Sequence, residues 1–203
     1  MSTLAKRGSG TPVTSNTTWT NTANAVDGAP GSNPATYTVW TNTTANAVGY
    51  IEVSGYDFSS LAVDDTLNSV TVSVRSLVSN ASRISALTVQ PYVGATPIGT
   101  PFTCTRTTSA STDTTTFPVT KAQLQNAAFK VRVTATRFNG TQAGTFSLDY
   151  IDVTADYSPA ITPGFLMVWT GSAWKNCPMK AWSGSAWVQK PVKRWTGSVW
   201  ELA

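Results

Sequence analysis

The sequence predicts an all-β fold, an antiparallel β-sandwich of jelly-roll type, and three observations carry that prediction. Strand formers dominate: Thr alone supplies 34 of 203 residues, joined by Val, Ile and aromatics, while the Ala-Leu-Glu-Lys runs that build helices are nearly absent. Segments of alternating polar and apolar residues recur, separated by turn clusters at intervals of roughly 8–15 residues, with no βαβ alternation. Charged residues make up 12% of the chain, about half the usual share, while an apolar fraction of 41% is too high for a disordered polymer.

Taken in order, residues 1–18 are polar and rich in Gly, Ser, Thr and Asn, with Lys6 and Arg7 the only charges, and read as a flexible N-terminal arm. The sandwich domain is expected over residues 19–157, starting at Trp19. TYTVW (36–40) alternates. In GYIEVSGYDF (49–58), Tyr50, Glu52 and Ser54 oppose Ile51, Val53 and Gly55. After a turn at Asp64-Asp65, Val70, Val72 and Val74 face inward against Thr71, Ser73 and Arg75, the period of a half-buried strand. Leu87 and Val89 follow the same rule, and so do Phe129, Val131 and Val133 against Lys130, Arg132 and Thr134. In TFSLDYIDVTADY the alternation changes face midway, which predicts a bulge near Tyr150. One short helix is expected over KAQLQNAA, capped by Thr120 and presenting Leu124 and Ala128 on one face. SPAITPG (158–164), with two prolines and a glycine, reads as a linker.

Residues 165–203 form a second, small module that holds six of the eight tryptophans. WTGSAWKNCPMKA, WSGSAWVQKPVKR and WTGSVWELA align as an internal repeat. Trp169, Trp182 and Trp195 are thirteen residues apart, as are Trp174, Trp187 and Trp200; Gly171, Gly184 and Gly197 keep the step, as do Pro178 with Pro191 and Lys180 with Lys193. Four residues separate the paired tryptophans. A Gly in the second place supplies the positive φ of a tight turn, so each Trp pair is expected to face itself across a β-hairpin. Trp174 and Trp182, like Trp187 and Trp195, are eight apart and would share a face of one strand. Pro178 and Pro191 then bend those strands, giving a hairpin ribbon rather than a wide sheet.

Enzymatic chemistry has little to work with. The chain has no histidine, which removes the commonest general base and most zinc sites. Cys104 and Cys177 lie in different segments and read as free thiols without a base partner. Asp149 and Asp152 read as solvated strand residues, and Asp64-Asp65 as a turn. Asp27, Asp64 and Asp65 are the one set that could hold Ca²⁺ in a sandwich loop. No Gly-rich loop precedes a helix. The expectation is a non-enzyme with no catalytic residue, metal or cofactor. Sequons at Asn16, Asn80 and Asn139 are read as chance in so Thr-rich a chain. The N-terminus has no apolar core segment of a secretion signal, and no stretch reaches the length of a membrane span. The net charge of +4 resides in the tail: residues 1–160 carry nine charges of each sign, whereas Lys175, Lys180, Lys190, Lys193 and Arg194 face only Glu201. Cations so thinly spread among indoles point away from nucleic acid and toward a solvated face or an acidic protein partner.

A ribbon of this size does not make a self-sufficient core, so each of its six indoles needs a cover. Three covers are open: the indoles pack on one another, they dock onto other subunits of an assembly, or they stack on sugar faces. In the docking case Trp169, Trp174, Trp182, Trp187, Trp195 and Trp200, with Pro178 and Pro191, form the contact, and Lys180, Lys190, Lys193 and Arg194 supply electrostatic contacts.

The sandwich stretches GYIEVSGYDFSSLAVDDTLNSVTVSVR and NAAFKVRVTAT…GTFSLDYIDVTADY, together with the ribbon WTGSAW…KPVKRWTGSVWEL, resemble bacteriophage virion proteins, especially small minor tail proteins of phages of actinobacteria. The resemblance spans roughly residues 45–203 and is most specific in the ribbon. It implies a virion protein assembled in the host cytoplasm, with a structural or adhesive role and no catalytic residues. The expected place is the tail or tail tip, with a capsid decoration protein and a host cell-wall carbohydrate binder as alternatives. It further implies tail or capsid subunits as partners and a homo-oligomer, a trimer.

Overall fold

Alternating β-branched and polar residues give long strands, and their pairing gives two sheets. The computed structural model describes residues 1–15, 18–28, 37–160, 166–195 and 198–202, and the chain divides into units Met1–Pro159 and Ala160–Ala203. The first unit contains β1 (Ser2–Arg7), β2 (Val13–Thr14), β3 (Trp19–Thr20), β4 (Thr38–Asn42), β5 (Val48–Ser54), β6 (Thr66–Val78), β7 (Ile84–Val93), β8 (Thr96–Pro97), β9 (Phe102–Thr103), β10 (Ser111–Phe117), β11 (Phe129–Arg137) and β12 (Gly144–Ser158). One sheet runs β10-β6-β12-β4-β3, with β1 also on β12; the other runs β2-β5-β11-β7-β8, with β9 also on β7. Every pairing is antiparallel. From β4 to β7 the chain alternates between sheets, and the early strands pair with the late ones, β4 with β12 and β5 with β11. That nested order is the jelly-roll arrangement of a β-sandwich.

The inner faces meet in one core. Val70, Val72 and Val74 from β6, Leu87 and Val89 from β7, and Phe129, Val131 and Val133 from β11 are buried, as their period-2 spacing predicts. Trp40 is fully buried. It is opposite Trp19 in the β3–β4 register, with ring centroids 6.3 Å apart, and Phe146 meets Trp19 edge-on at 6.0 Å. Gly49 makes room for that indole: a Cβ there would stand 2.4 Å from Trp40. The expected bulge is present in β12, whose register against β6 shifts between Leu148 and Tyr150. Before it Phe146 and Leu148 point into the core; after it Ile151, Val153 and Ala155 do.

Three expectations are corrected. The flexible arm expected over 1–18 is not what the described N-terminal residues form: β1 pairs with the second half of β12, from Ser2 opposite Tyr157 to Arg7 opposite Asp152. The first half of β12 is taken by β4, so β1 fills an edge that would otherwise present unpaired backbone. Gly8-Ser9-Gly10, part of the expected arm, is a tight crossing toward β5, where a Cβ on Gly8 would lie 2.2 Å from the Val53 side chain. Asp149 and Asp152 are not solvated; both are buried. The helix is a single turn, α1 (Lys121–Leu124). Its Thr120 cap is closed by a reciprocal bond with Gln123, and Leu124 alone is buried. A second short element, a 3-10 turn at Thr22–Ala25, buries Ala25 and has no periodic signature in the sequence.

The second unit contains three two-stranded sheets: β13 (Leu166–Trp169) with β14 (Trp174–Cys177), β15 (Lys180–Trp182) with β16 (Trp187–Gln189), and β17 (Lys193–Trp195) with β18 (Trp200–Leu202). Trp174 and Trp182 do not share a strand, nor do Trp187 and Trp195. Pro178 falls between β14 and β15 and Pro191 between β16 and β17; lacking N–H donors, both separate the hairpins instead of bending one ribbon.

Candidate interaction surface

Each hairpin is written by its W-x-G-S-x-W motif. In the registers Trp169 is opposite Trp174, Trp182 opposite Trp187, and Trp195 opposite Trp200. Gly171 and Gly184 have φ of 93° and 99°, a conformation that an L side chain resists. Gly197 lies outside the described residues. The residue before Gly171 and the residue before Gly184 close their loops. The Ser183 N–H donates to the Ala186 carbonyl at 2.9 Å, its hydroxyl donates to the same carbonyl at 2.9 Å, and the Ala186 N–H donates back to that hydroxyl at 3.1 Å. Thr170 and Ala173 repeat the arrangement. Sequence reasoning missed this role, although all three copies carry Thr or Ser there.

The bonds also fix how the indoles stand. Ser183 bonds to Ala186, and the Lys190 N–H donates to the Met179 carbonyl at 2.7 Å, so Trp182 and Trp187 occupy a non-hydrogen-bonded pair, where cross-strand side chains approach most closely. Their rings meet edge-to-face, centroids 5.7 Å apart, a geometry that contributes about 0.5–1.5 kcal/mol beyond area burial. The pair remains open: Trp182 is 56% and Trp187 65% exposed, and Trp169 is 54% exposed. No described side chain of the hairpins is buried; Pro178 and Val192 are half-buried and the others exposed. Lys180 shares the face of Trp182 and Trp187 by strand alternation, and Lys180, Lys190 and Lys193 are exposed. Arg194 is opposite Glu201 in the register. The described residues of this unit present indole and ammonium together, with no buried side chain among them.

In the sandwich, several charged side chains are held in ion pairs. Arg7 reaches both Asp152 oxygens, Nε at 2.7 Å and Nη2 at 3.1 Å, donates to the Asp27 carbonyl at 2.7 Å, and stacks 4.4 Å over the Tyr150 ring. Glu52 accepts from Lys130 at 2.7 Å and from Arg132 at 2.9 and 2.6 Å. Burial pushes the Glu52 carboxyl up, but those bonds and charges more than offset it and hold the group below its ordinary range. Asp149 is the exception: fully buried, both oxygens without a hydrogen bond, with Arg75 at 3.4 Å. Burial raises its pKa, and the charges of Arg75 and Arg7 only partly counter that. Cys104 is buried and its thiol is pushed up to about 12, chiefly by burial, whereas Cys177 is exposed; both are free.

The structure does not gather Asp27, Asp64 and Asp65, the set that could have held Ca²⁺, at one place. Among the described residues no three His, Cys, Asp or Glu are gathered for a metal ion. At the Asp64-Asp65 turn the Lys121 ammonium donates to the carbonyls of Ala62 at 3.1 Å and of Val63 and Asp65 at 2.6 Å. Among the described residues no helix is long and apolar enough to cross a membrane.

No protein-family model matches the chain, and no curated protein sequence does. Among solved structures, one described as "CBM4 structure and function" is similar at 12% identity and TM-score 0.39, over 59% of this chain and 84% of its own. A Stig cyclase, Fisc from Fischerella sp. TAU, in complex with (3Z)-3-(1-methyl-2-pyrrolidinylidene)-3H-indole, is similar at 13% identity and TM-score 0.38, over 78% of this chain and 75% of its own. At these values neither likeness carries an argument about function.

Proposed function

We propose that the chain is a non-enzymatic structural protein of a bacteriophage virion, a minor tail protein on the tail or tail tip, whose tryptophan hairpins dock it onto neighbouring subunits. The observation that carries this reading is the hairpin array: three copies of one motif, each holding a Trp pair in fixed register, on a unit whose described side chains are all exposed or half-buried. Rigid, pre-oriented indoles with few rotamers are the residues that dominate protein–protein contacts. Lysines beside them favour a partner with acidic groups around an apolar centre. The likeness of the ribbon to those of phage virion proteins supplies the biological setting, and the locked ion pairs of the sandwich suit a scaffold.

Immuno-electron microscopy and densitometry of purified particles test it. Label at the tail with few copies per particle supports the reading; copies on the scale of the capsomers would make the chain a capsid decoration protein, and absence from particles would overturn both. Sedimentation of the full chain reads out the expected homo-oligomer, a trimer; Trp182→Ser with Trp187→Ser shifts it toward monomer if the hairpins make the contact.

The exposure of the Trp187 ring favours one second reading, stacking on host cell-wall sugars. That reading predicts quenching of tryptophan fluorescence by wall polysaccharide, and an unchanged signal would count against it.

A further inference from the structure

At one end of the sandwich, the segments between β6 and β7 and between β11 and β12 bound a cavity of about 220 Å³. Its walls include Asn80, Ser82, Arg83, Arg137, Phe138 and Gln142, and no carboxylate. Arg137 is only 2% exposed. Its Nη1 donates to the carbonyls of Thr43 at 2.8 Å and Gly140 at 2.7 Å, while its Nε has no partner. Arg83 donates to the Ala143 carbonyl at 3.2 Å and to Gln142 Oε1 at 2.6 Å. Behind this wall Arg106 donates to the carbonyls of Ala81 and Ile84. Carbonyls satisfy N–H groups but bring no counter-charge. None of these three arginines takes part in the ion pairs Arg7–Asp152, Arg75–Asp149, Lys130–Glu52 and Arg132–Glu52. A buried cation without an anion is costly, and here one lines an open cavity.

We propose that this cavity binds a carboxylate-bearing sugar unit, a hexuronate of an acidic glycan. The guanidiniums of Arg137 and Arg83 supply the charge-assisted bonds that a carboxylate accepts. Ser82, Asn80 and Gln142 offer hydroxyl and amide groups to sugar hydroxyls. Asn80 holds its own loop by accepting from the Ser82 N–H at 2.9 Å and hydroxyl at 2.7 Å. Phe138, 55% exposed at the rim, offers a ring face to the apolar side of a pyranose. The volume lies below that of sites for drug-sized ligands and suits one monosaccharide. The site belongs wholly to the first unit, so it stands or falls separately from the docking role of the hairpins.

Calorimetric titration of the full chain with sodium glucuronate, glucose and sodium acetate tests it. Glucuronate is expected to bind at least about tenfold tighter than either of the others, because only it offers both charge and ring. Arg83→Gln, at a half-buried position, is expected to weaken glucuronate about tenfold or more, and Phe138→Ser to reduce it to the acetate level. Trp182→Ser with Trp187→Ser should leave glucuronate binding unchanged, which separates the cavity from any sugar contact on the hairpins. Glucose or acetate matching glucuronate overturns the proposal, as does parental affinity in both Arg83→Gln and Phe138→Ser.

Discussion

Replacing Arg7 with Met asks whether the N-terminal residues are part of the sandwich. The Arg7 and Asp152 side chains are 2% and 9% exposed, and the pair is bidentate, backed by a carbonyl and an aromatic face. Met keeps much of the aliphatic volume but takes the counter-charge from a buried carboxylate. Breaking such a pair costs about 3–5 kcal/mol, whereas an exposed pair on a loose arm would contribute about 0–1 kcal/mol. At roughly 2–4 °C per kcal/mol for a domain of this size, the sandwich transition in scanning calorimetry should fall by about 6–20 °C. Arg7→Met with Asp152→Leu should recover most of the loss, since a buried ion pair replaced by apolar groups is often nearly neutral. A loss below about 1 kcal/mol for the single variant would refute the placement of β1 as an integral strand.

Glu52 titrates with the opposite sign to Asp149. The folded pKa of Glu52 is lowered, so its contribution is complete above the ordinary glutamate pKa and lost as pH falls through the lowered one; Glu52→Gln should lower the melting temperature at neutral pH and flatten that acid limb. The folded pKa of Asp149 is raised, so stability is highest below the ordinary aspartate pKa and lost as pH rises through the raised one; Asp149→Asn should flatten that slope, with the largest gain in melting temperature at neutral pH. Gly184→Ala places a Cβ at a φ of 99° and should cost its hairpin about 1 kcal/mol or more, read as a weaker exciton-coupled circular dichroism of the Trp182–Trp187 pair. Gly8→Ala should lower the sandwich transition, because its Cβ would fall 2.2 Å from Val53; an unchanged transition would argue against the tight crossing.

What was legible in the sequence was local. Period 2 in Val70–Val74 and Phe129–Val133, the face change at Tyr150 and the thirteen-residue step of the tryptophans all report neighbours along the chain, and pairing rules convert them to structure. What was illegible depended on distant partners. Arg7 looked solvated because its anion, Asp152, lies 145 residues away. Asp149 and Asp152 looked like the outer face of an ordinary strand because nothing in their own segment announces the residues that cover them. The Arg83–Arg137 cavity was missed for a related reason: an arginine at each end of two separate segments carries no spacing signal. The closing role of Ser183 and Thr170 could have been found, since every copy keeps a hydroxyl beside the turn glycine.

The prolines between the hairpins have a consequence for how such a tail can change. Each hydrogen-bonded sheet closes within its own unit, so excising or duplicating thirteen residues in register leaves the neighbouring units intact. With the proposed docking role, grip on a partner would be graded by the number of units, since each tethered unit raises the effective concentration of the next. Under the docking role proposed above, the repeat would work as a counted valency, adjustable in whole steps without redesigning a fold.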